Sequence, residues 1–237
     1  MILRRALDQA VKRGLAARNV AKLVDLPRVT RHEVRPFTED QVRSFLAAIK
    51  GERLEGAYML AVILGLRRGE ILGLRWRDID LDGRTLTVAQ ALTRVGGKRF
   101  GGISELRFVE PKSASSRRTI PLPESVAAAL RDNRTRHPGV AERLVFTTEI
   151  GTPIEPRAFN ADFSRILKNA KLPTIRLHDL RHSAASLMLA QGVHPRVVME
   201  ILGHSQISLT MNTYSHVLPS ILRDAADKMD RLIAASK

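Results

Sequence analysis

The sequence predicts an α+β fold that is mainly helical and contains a small antiparallel β-sheet. Apolar residues recur at three- and four-residue intervals over most of the chain, which is the spacing of one helix face. Alternating apolar and polar residues, which are typical of strands, occur mainly before Pro121. The chain has 237 residues, 44% of them hydrophobic, and can therefore bury one sizeable core.

The first helix is predicted from the apolar face that residues 2–14 would present. A short apolar segment, NVAKLVDL, follows, and residues 27–36 carry two prolines without a helical pattern, as a linker does. One helix with a short extension cannot bury its own apolar face. We therefore expect residues 1–26 to be the last piece of a helical domain and residues 37–237 to form a second domain.

The second domain is predicted to begin with a capped helix. Thr38 and Gln41 have the spacing of a capping box and precede an apolar pattern of helical period. The stretch YMLAVILGLRRGEILGLRW is strongly apolar and predicts core helix with a bend near Gly65. Tyr58 and Trp76, at the two ends of this stretch, are expected in the core.

Two β regions are predicted next. IDLDGRTLTV places Asp82 and Gly83 between alternating apolar residues, which is a hairpin pattern. A longer β region is predicted from Ala89 to Pro121, with a mobile turn at its glycines. From Pro123 onward helical patterns dominate, and they are interrupted by a short strand predicted at LVFTT.

Residues 219–237 predict an amphipathic C-terminal helix, because apolar residues recur along one face. This face either docks onto the chain's own core or passes to a neighbouring protomer, since exchange of an identical element is a low-cost route to an oligomer.

The charge indicates a polyanionic partner, with a solvated basic surface as the alternative. The chain has 39 lysines and arginines against 24 acidic residues, a formal net charge of +15 at pH 7. No apolar run reaches the roughly 20 residues that span a bilayer. The N-terminus lacks the apolar block of a signal peptide. The absence of cysteine excludes a thiol nucleophile and thiolate metal ligands.

Two histidines in LHDLRHSAASLMLAQGV, His178 and His182, have a helical spacing that can hold a metal. A zinc-protease helix, however, needs a glutamate directly after the first histidine, where this chain has Asp179. Arg181 would also place a fixed positive charge beside the cation. His178 and Arg181 share a helix face and favour a phosphate site. The alternative is structural: Arg181 pairs with an acid and His178 caps a buried carbonyl.

Four motifs carry the polar residues that could perform chemistry: GLRRGEILGLRW, EPKSASSRRTIPL, LHDLRHS and LGHSQISLTMNTYSHV. They contain, in order, Arg67, Glu70, Lys112, His178, Arg181, His204 and Tyr214. In order, spacing and flanking residues, the region from 36 to 218 resembles the tyrosine recombinases, the phage integrase family.

The resemblance implies a reaction without metal, ATP or other cofactor. Tyr214 would attack the scissile phosphodiester, form a 3′-phosphotyrosyl bond and free a 5′-hydroxyl. A phenol with a pKa near 10 is only about 0.1% ionised at pH 7. His178 is suited to accept or relay the tyrosine proton, because a neutral imidazole is available near pH 7.

The resemblance also assigns the remaining residues of the site. Arg67, Arg181 and His204 would meet the charge on the non-bridging oxygens, and Lys112 would protonate the leaving 5′-oxygen. Glu70 would hold Arg67 or a catalytic histidine in place. Lys98 is a weaker candidate for the proton donor, because its glycine-rich neighbourhood favours a contact with the DNA backbone. Arg68 is expected to be solvated or to contact the backbone, and Arg28 and Arg31 are expected to contact it.

By the same resemblance, residues 1–26 are the C-terminal remnant of a core-binding domain, residues 27–36 are a linker, and residues 37–237 are the catalytic domain. The implied partners are double-stranded DNA, further copies of the chain in a tetramer, and accessory directionality or DNA-bending proteins. The implied location is the cytoplasm, in association with the nucleoid and not with a membrane. Two alternatives remain: a truncated integrase that binds DNA without cutting it, and a type IB topoisomerase that relaxes supercoils.

Overall fold

The computed structural model describes residues 2–25, 36–96, 104–110, 117–136 and 143–203, together with Arg223, Ala226, Asp227 and Asp230. The chain divides into two compact units, Met1–Glu33 and Val34–Lys237. Each unit is described by itself. In the described residues, no helix combines the length and the apolar character that crossing a membrane requires.

The described part of the first unit contains helix α1 and a short 3₁₀ turn, which are joined by polar contacts. Helix α1 spans Ile2–Lys12 and the turn spans Val20–Lys22. The Arg4 Nε donates to the carbonyl of Ala21 at 2.9 Å, which ties the turn back to the helix. No residue of α1 is buried, and Ile2 is 87% exposed. The apolar face predicted for this helix is therefore exposed at Ile2, Leu3 and Ala6 and only partly covered at Leu7, Ala10 and Val11.

The described part of the second unit contains seven helices and five strands. The helices are α2 Glu39–Ile49, α3 Glu55–Ile63, α4 Arg68–Leu72, α5 Glu124–Arg136, α6 Pro156–Asn169, α7 Asp179–Ala190 and α8 Pro195–Leu202. The strands are β1 Ile79–Asp80, β2 Thr85–Val88, β3 Ala91–Val95, β4 Glu105–Val109 and β5 Arg118–Pro121. The four described residues of the C-terminal tail are helical and exposed, and the apolar residues predicted there lie outside the described part.

Helix α3 forms the centre of the core and packs against α2, α5 and α7. Almost all its residues are apolar, as expected of a helix that is covered on every side. The predicted capping box at Thr38 and Gln41 is confirmed, with both reciprocal hydrogen bonds present. The predicted bend is also confirmed: Gly65 has a φ of 64° and separates α3 from α4. Tyr58 and Trp76 are buried, as expected.

The strands form two antiparallel sheets, one of order β1-β2-β5 and one that pairs β3 with β4. The hairpin predicted around Asp82 and Gly83 is confirmed by the pairing of β1 with β2. The strand predicted at LVFTT is wrong. Leu144 and Thr147 each form only an isolated bridge, with Arg75 and Pro153 respectively, because no neighbouring strand runs beside this segment in the described residues.

Helix α4 approaches strand β3 through two glycines. A Cβ atom on Gly69 would lie 2.8 Å from the Leu92 carbonyl oxygen, and one on Gly73 would lie 2.9 Å from the Leu92 nitrogen. Both distances are too short for a real side chain, so glycine allows the close contact of the two backbones. Helix α8 packs on β5. The ion pair between Glu70 of α4 and Arg118 of β5 joins α4 to these two elements.

Candidate functional site

Four elements of the second unit converge on one polar cluster. Arg67 directly precedes α4 and Glu70 lies in its first turn, Arg118 begins β5, and Arg181 lies in the first turn of α7. We call these four residues the arginine cluster. The fourth element, α8, contributes the carbonyl groups at its C-terminal end.

Within the cluster, Glu70 accepts two hydrogen bonds from Arg67. The main-chain nitrogen of Arg67 donates to Oε2 at 2.9 Å, and the Arg67 Nη1 donates to Oε1 at 2.8 Å. Glu70 is the third residue of the helix that Arg67 precedes, so its side chain can reach back to that residue. The Arg67 side chain is 40% exposed, while that of Glu70 is buried.

Arg118 forms a second ion pair with the same carboxylate. Its Nη1 and Nη2 donate to the two oxygens of Glu70 at 3.1 and 3.0 Å, a fork-to-fork arrangement. Burial alone would raise the pKa of Glu70, but the hydrogen bonds and charges of Arg118 and Arg67 outweigh it and lower that pKa. Glu70 is therefore an anion at neutral pH, despite its burial.

Arg181 is buried and holds two turns of the chain together. Its Nη1 donates to the Gly65 carbonyl at 2.8 Å, and its Nη2 donates to the Leu202 carbonyl at 2.6 Å. At least two of its five N–H groups are thus committed to the protein itself. A Cβ on Gly65 would lie 2.5 Å from the Leu202 side chain, so the bend after α3 touches the end of α8.

Three arginines from three elements bind three successive carbonyls at the end of α8. The Arg118 Nε donates to Ile201 at 2.7 Å, Arg181 donates to Leu202, and the Arg67 Nη2 donates to Gly203 at 3.0 Å. The last carbonyls of a helix have no partner within it and carry its negative partial charge. The end of α8 therefore stabilises three guanidinium groups whose like charges would otherwise repel one another.

His178 and His182 lie beside the arginine cluster. Their rings meet edge to face, with 5.4 Å between the centroids. Loss of hydration and the positive charge of Arg181 lower the pKa of His178 below its usual value of 6.5. Loss of hydration, followed by the charge of His178, lowers the pKa of His182. Both imidazoles are therefore neutral at pH 7 and able to accept a proton.

The start of α7 is fixed by contacts that do not involve the arginine cluster. The buried carboxylate of Asp179 accepts from the main-chain nitrogen of Arg176 at 2.9 Å and from its Nη2 at 2.8 Å. The Ser183 hydroxyl donates to the Asp179 carbonyl and accepts from the nitrogen of Phe37. Asp179 thus holds the helix start and is not placed as a base. In the described residues, no group of three or more acidic, histidine or cysteine side chains is arranged to hold a metal ion.

An open cleft of about 550 Å³ leads to this region. Its polar lining includes Arg67, Arg68, Asn160, Arg176 and His178. Arg68 is exposed, and its Nη1 lies 3.5 Å from the Pro156 carbonyl. Arg67 and His178, two residues with predicted catalytic roles, therefore face one accessible space.

The structure brings together Arg67, Glu70, His178 and Arg181 from the predicted site. The other predicted residues, Lys98, Lys112, His204, Tyr214, Arg28 and Arg31, lie outside the described residues.

Arg118 was not predicted from the sequence as part of the site. The only sequence signal is its place at the start of RTIP, where alternate residues of a strand face one side. Alternation places Arg118 on the same face as the buried Ile120, unlike its exposed neighbour Arg117, but it does not reveal the partner Glu70.

Similar proteins share the fold and the sequence pattern of this chain. A chain named tyrosine recombinase XerC-like, from Caldanaerobacter subterraneus subsp. tengcongensis, is 31% identical over 97% of this chain and 64% of its own length. An integrase from Saccharopolyspora erythraea is 28% identical over 96% of this chain and, again, 64% of its own length. The chain therefore spans less than two thirds of these relatives.

A solved structure of the Tn1549 transposon integrase with circular intermediate DNA is 26% identical. It superposes with a TM-score of 0.75 over 97% of this chain and 76% of that one. The model of the phage integrase family matches residues 35–220, which include all four motifs. Because both its sequence and its fold match, this chain belongs to the phage integrase family.

Proposed function

We propose that this chain is part of a site-specific DNA recombinase, an integrase that cleaves and rejoins DNA strands through a 3′-phosphotyrosyl intermediate. Its membership of the phage integrase family supports this proposal. The relatives named integrase or recombinase, and the integrase solved with DNA, support it further. The net charge of +15 suits a polyanionic substrate.

The observation that carries the proposal is the meeting of Arg67 and Arg181. They come from different helices and donate to the adjacent carbonyls of Gly203 and Leu202, so two permanent cations lie close together. His178 stands at the start of the same helix as Arg181. Cations fixed in advance are what a pentacoordinate phosphorane needs, because negative charge develops on its non-bridging oxygens.

The proposed nucleophile is Tyr214, since the chain has two tyrosines and the other is structural. Tyr58 is fully buried, stacks on Phe159, and donates to the Asp162 Oδ2 at 2.7 Å. Burial and the neighbouring carboxylate raise the pKa of Tyr58, so its hydroxyl loses a proton even less readily than that of a free tyrosine. Attack by Tyr214 would form the phosphotyrosyl bond and release the 5′-oxygen. The phosphotyrosyl ester keeps the energy of the broken phosphodiester bond, so rejoining of the strands consumes no nucleotide cofactor.

The remaining roles follow from the chemistry of each side chain. His178, neutral at pH 7, would accept or relay the proton of Tyr214. Lys112 would give a proton to the departing 5′-oxygen. His204 would add a hydrogen bond to the phosphate oxygens, and Glu70 would hold Arg67 without touching the DNA.

We also propose the arrangement in which the reaction takes place. Residues 1–26 would belong to a core-binding domain and residues 37–237 to the catalytic domain, with 27–36 as a linker between them. The working form would be a homo-oligomer on duplex DNA, a tetramer, assisted by directionality or DNA-bending proteins. It would act in the cytoplasm at the nucleoid.

The test is capture of a covalent complex on DNA that contains the recognition site and a nick, in the presence of EDTA. The short 5′-hydroxyl fragment diffuses away, so rejoining cannot hide cleavage. The unchanged protein should form the adduct. Tyr214→Phe, which removes one oxygen, should bind DNA and form none. Arg181→Ala should lower the rate by about 10² or more, as loss of a fixed donor to a developing oxyanion does.

Tyr58→Phe is the matched control and should still form the adduct. A covalent complex formed by Tyr214→Phe would rule out the proposed nucleophile. DNA binding without any adduct from the unchanged protein would favour the non-cutting alternative. Relaxation of plasmids that lack a specific site would favour the topoisomerase.

A further inference from the structure

We propose that Arg118 is a positioning residue, which orients the guanidinium of Arg67 by holding both its partner Glu70 and the end of α8. This inference rests on the proposed function, in which Arg67 binds the scissile phosphate. Arg118 itself would not contact DNA, because its side chain is only 8% exposed.

Every nitrogen of the Arg118 guanidinium is engaged inside the protein. Nε donates to the Ile201 carbonyl, and Nη1 and Nη2 donate to the two oxygens of Glu70. A planar guanidinium held at three points cannot rotate without breaking a hydrogen bond. Arg118 is therefore a rigid link between β5, α4 and α8.

The carboxylate of Glu70 is filled by its two arginine partners. Oε1 accepts from Arg67 Nη1 and Arg118 Nη1, and Oε2 accepts from the Arg67 main-chain nitrogen and Arg118 Nη2. A carboxylate offers about four acceptor positions, so these four bonds use its capacity. Removal of Arg118 would take one bond from each oxygen. Glu70 would then be held by Arg67 alone, and Arg67 would lose a partner that is fixed from outside α4.

The same two arginines also close a ring through the end of α8. Arg118 binds Ile201 and Arg67 binds Gly203, two residues further along, while Glu70 joins the two guanidinium groups. Arg67 is thus oriented from both sides by groups that Arg118 holds. Gly203 leaves the necessary room, because a Cβ there would lie 2.7 Å from Arg118 Nη1.

A comparable ion pair outside the cluster provides the matched control. Arg75 donates to Asp78 through Nε at 2.7 Å and Nη2 at 3.2 Å, and both side chains are largely covered. Arg75→Gln removes the same charge and also breaks a two-point pair with a carboxylate. It should destabilise the fold without disturbing Arg67.

The experiment measures Arg118→Gln, Arg118→Lys and Arg75→Gln by single-turnover cleavage at saturating nicked duplex and by affinity for DNA. Arg118→Gln should slow cleavage by about 10-fold to 100-fold, the scale of a small misplacement of a catalytic group. Its Kd should change by less than about 3-fold, since Arg118 makes none of the phosphate contacts that set affinity. Arg118→Lys keeps the charge but not the fork, and should recover only part of the rate. Arg75→Gln should cleave at the unchanged rate.

A pH profile adds a readout that a purely structural role would not move. Among the residues that the structure describes, the charged groups that face Glu70 are Arg67 and Arg118. Without Arg118, the buried carboxylate of Glu70 takes up a proton at a higher pH. The cleavage rate of Arg118→Gln should therefore decrease in an acidic pH range in which the rate of the unchanged protein is still constant. The double variant Glu70→Gln with Arg118→Gln should lose the part of this fall that Glu70 causes and keep only the decline that it shares with the unchanged protein, because no carboxylate remains to titrate.

Order of the Arg67 side chain can be measured without any activity, from the ¹⁵N NMR signal of its Nη–H groups, which donate to Glu70 and Gly203; the signal is assigned with Arg67→Lys. The signal should be slow to exchange in the unchanged protein and in Arg75→Gln, and should broaden or exchange faster in Arg118→Gln and Arg118→Lys. An unchanged Arg67 signal in folded Arg118 variants would overturn the positioning role, as would cleavage equal to that of Arg75→Gln. Failure of the unchanged protein to form an adduct would instead overturn the proposed function, and the NMR comparison would still decide the role of Arg118.

Discussion

Glu70 accepts a hydrogen bond from Arg67 at both its main-chain nitrogen and its guanidinium, at 2.9 and 2.8 Å. One carboxylate therefore caps the start of α4 and orients the most exposed arginine of the cluster at once. The same carboxylate neutralises part of the charge of Arg118. Stability and site geometry are coupled through this single side chain.

The first prediction concerns Glu70 and acid. The pKa of Glu70 is lowered below the usual 4.5 in the folded protein. The charged carboxylate therefore stabilises the fold at any pH above the pKa of the unfolded chain, and this stabilisation is lost as the pH falls through the pKa of the folded protein. Glu70→Gln should lower the unfolding free energy by about 3 kcal/mol at pH 7, as loss of one partner of a buried pair does. The difference in unfolding free energy between Glu70→Gln and the unchanged protein should be smaller when denaturant unfolding is repeated at pH 3.5.

The control for this prediction is Glu200→Gln on α8. Glu200 pairs with Arg196, and both side chains are 62% exposed, so the change should have little effect on stability. A gap for Glu70→Gln that stays the same at both pH values would mean that the charge of Glu70 is not what stabilises the fold.

The second prediction concerns Gly203, which ends α8 in a left-handed conformation with φ of 66°. Gly203→Ala should lower the unfolding free energy by about 2 kcal/mol, roughly half of it from the backbone conformation. The other half would come from displacement of Arg118, which lies 2.7 Å from the position of the new Cβ. Urea unfolding with a constant m-value would measure the loss.

Gly192→Ala is the matched control for the backbone part. Gly192 has a φ of 77°, and no atom of the described residues lies within 4 Å of the position that its new methyl group would take. The unfolding free energy of Gly192→Ala should fall by only about 1 kcal/mol, which is the cost of the left-handed conformation. Equal losses for the two variants would contradict the close contact between Gly203 and Arg118.

The third prediction concerns the protonation of His178. Loss of hydration and the charge of Arg181 lower its pKa, so the free protein should titrate at His178 with a midpoint below 6.5. The neutral base therefore predominates at pH 6.5 and above, and cleavage that depends on it should have its acidic midpoint below 6.5. Histidine NMR titration of the free protein gives the midpoint. A midpoint at or above 6.5 would contradict the environment described for this ring.

Local sequence patterns predicted the parts of the fold and site that depend on near neighbours. The capping box at Thr38, the bend at Gly65 and the hairpin at Gly83 each rest on residues within a few positions of one another. The contact of Arg67 with Glu70 belongs to the same class, because residues three apart share a helix face.

The parts that were not predicted depend on residues far apart in the chain. Arg118 meets Glu70 across 48 positions, and a local pattern that turns Arg118 inward does not say which residue it meets. The strand expected at LVFTT fails for the same reason, since a strand forms only where a partner lies beside it. The burial of Arg181 likewise comes from the approach of α8, 21 positions further on.

The fourth prediction concerns salt. If binding to duplex DNA rests on neutralised phosphates, the affinity should fall by as much as about 10³ between 50 and 200 mM salt when six phosphates are contacted. Fluorescence anisotropy over this range gives the slope of log K against log salt. An affinity that does not respond to salt would argue against a nucleic-acid partner.

The fifth prediction assigns part of that slope to Arg68. This arginine is exposed and lines the cleft beside Arg67, and its Nη1 makes a long contact of 3.5 Å with the Pro156 carbonyl. Arg68→Gln should reduce the slope by about 0.9, the value of one lost phosphate contact. It should also lower the affinity for cognate and unrelated duplexes by the same factor. Arg43→Gln is the control, because Arg43 is already paired with Glu39 and Asp40 on α2 and should leave the slope unchanged. A slope that stays constant in Arg68→Gln would place the phosphate contacts elsewhere on the protein.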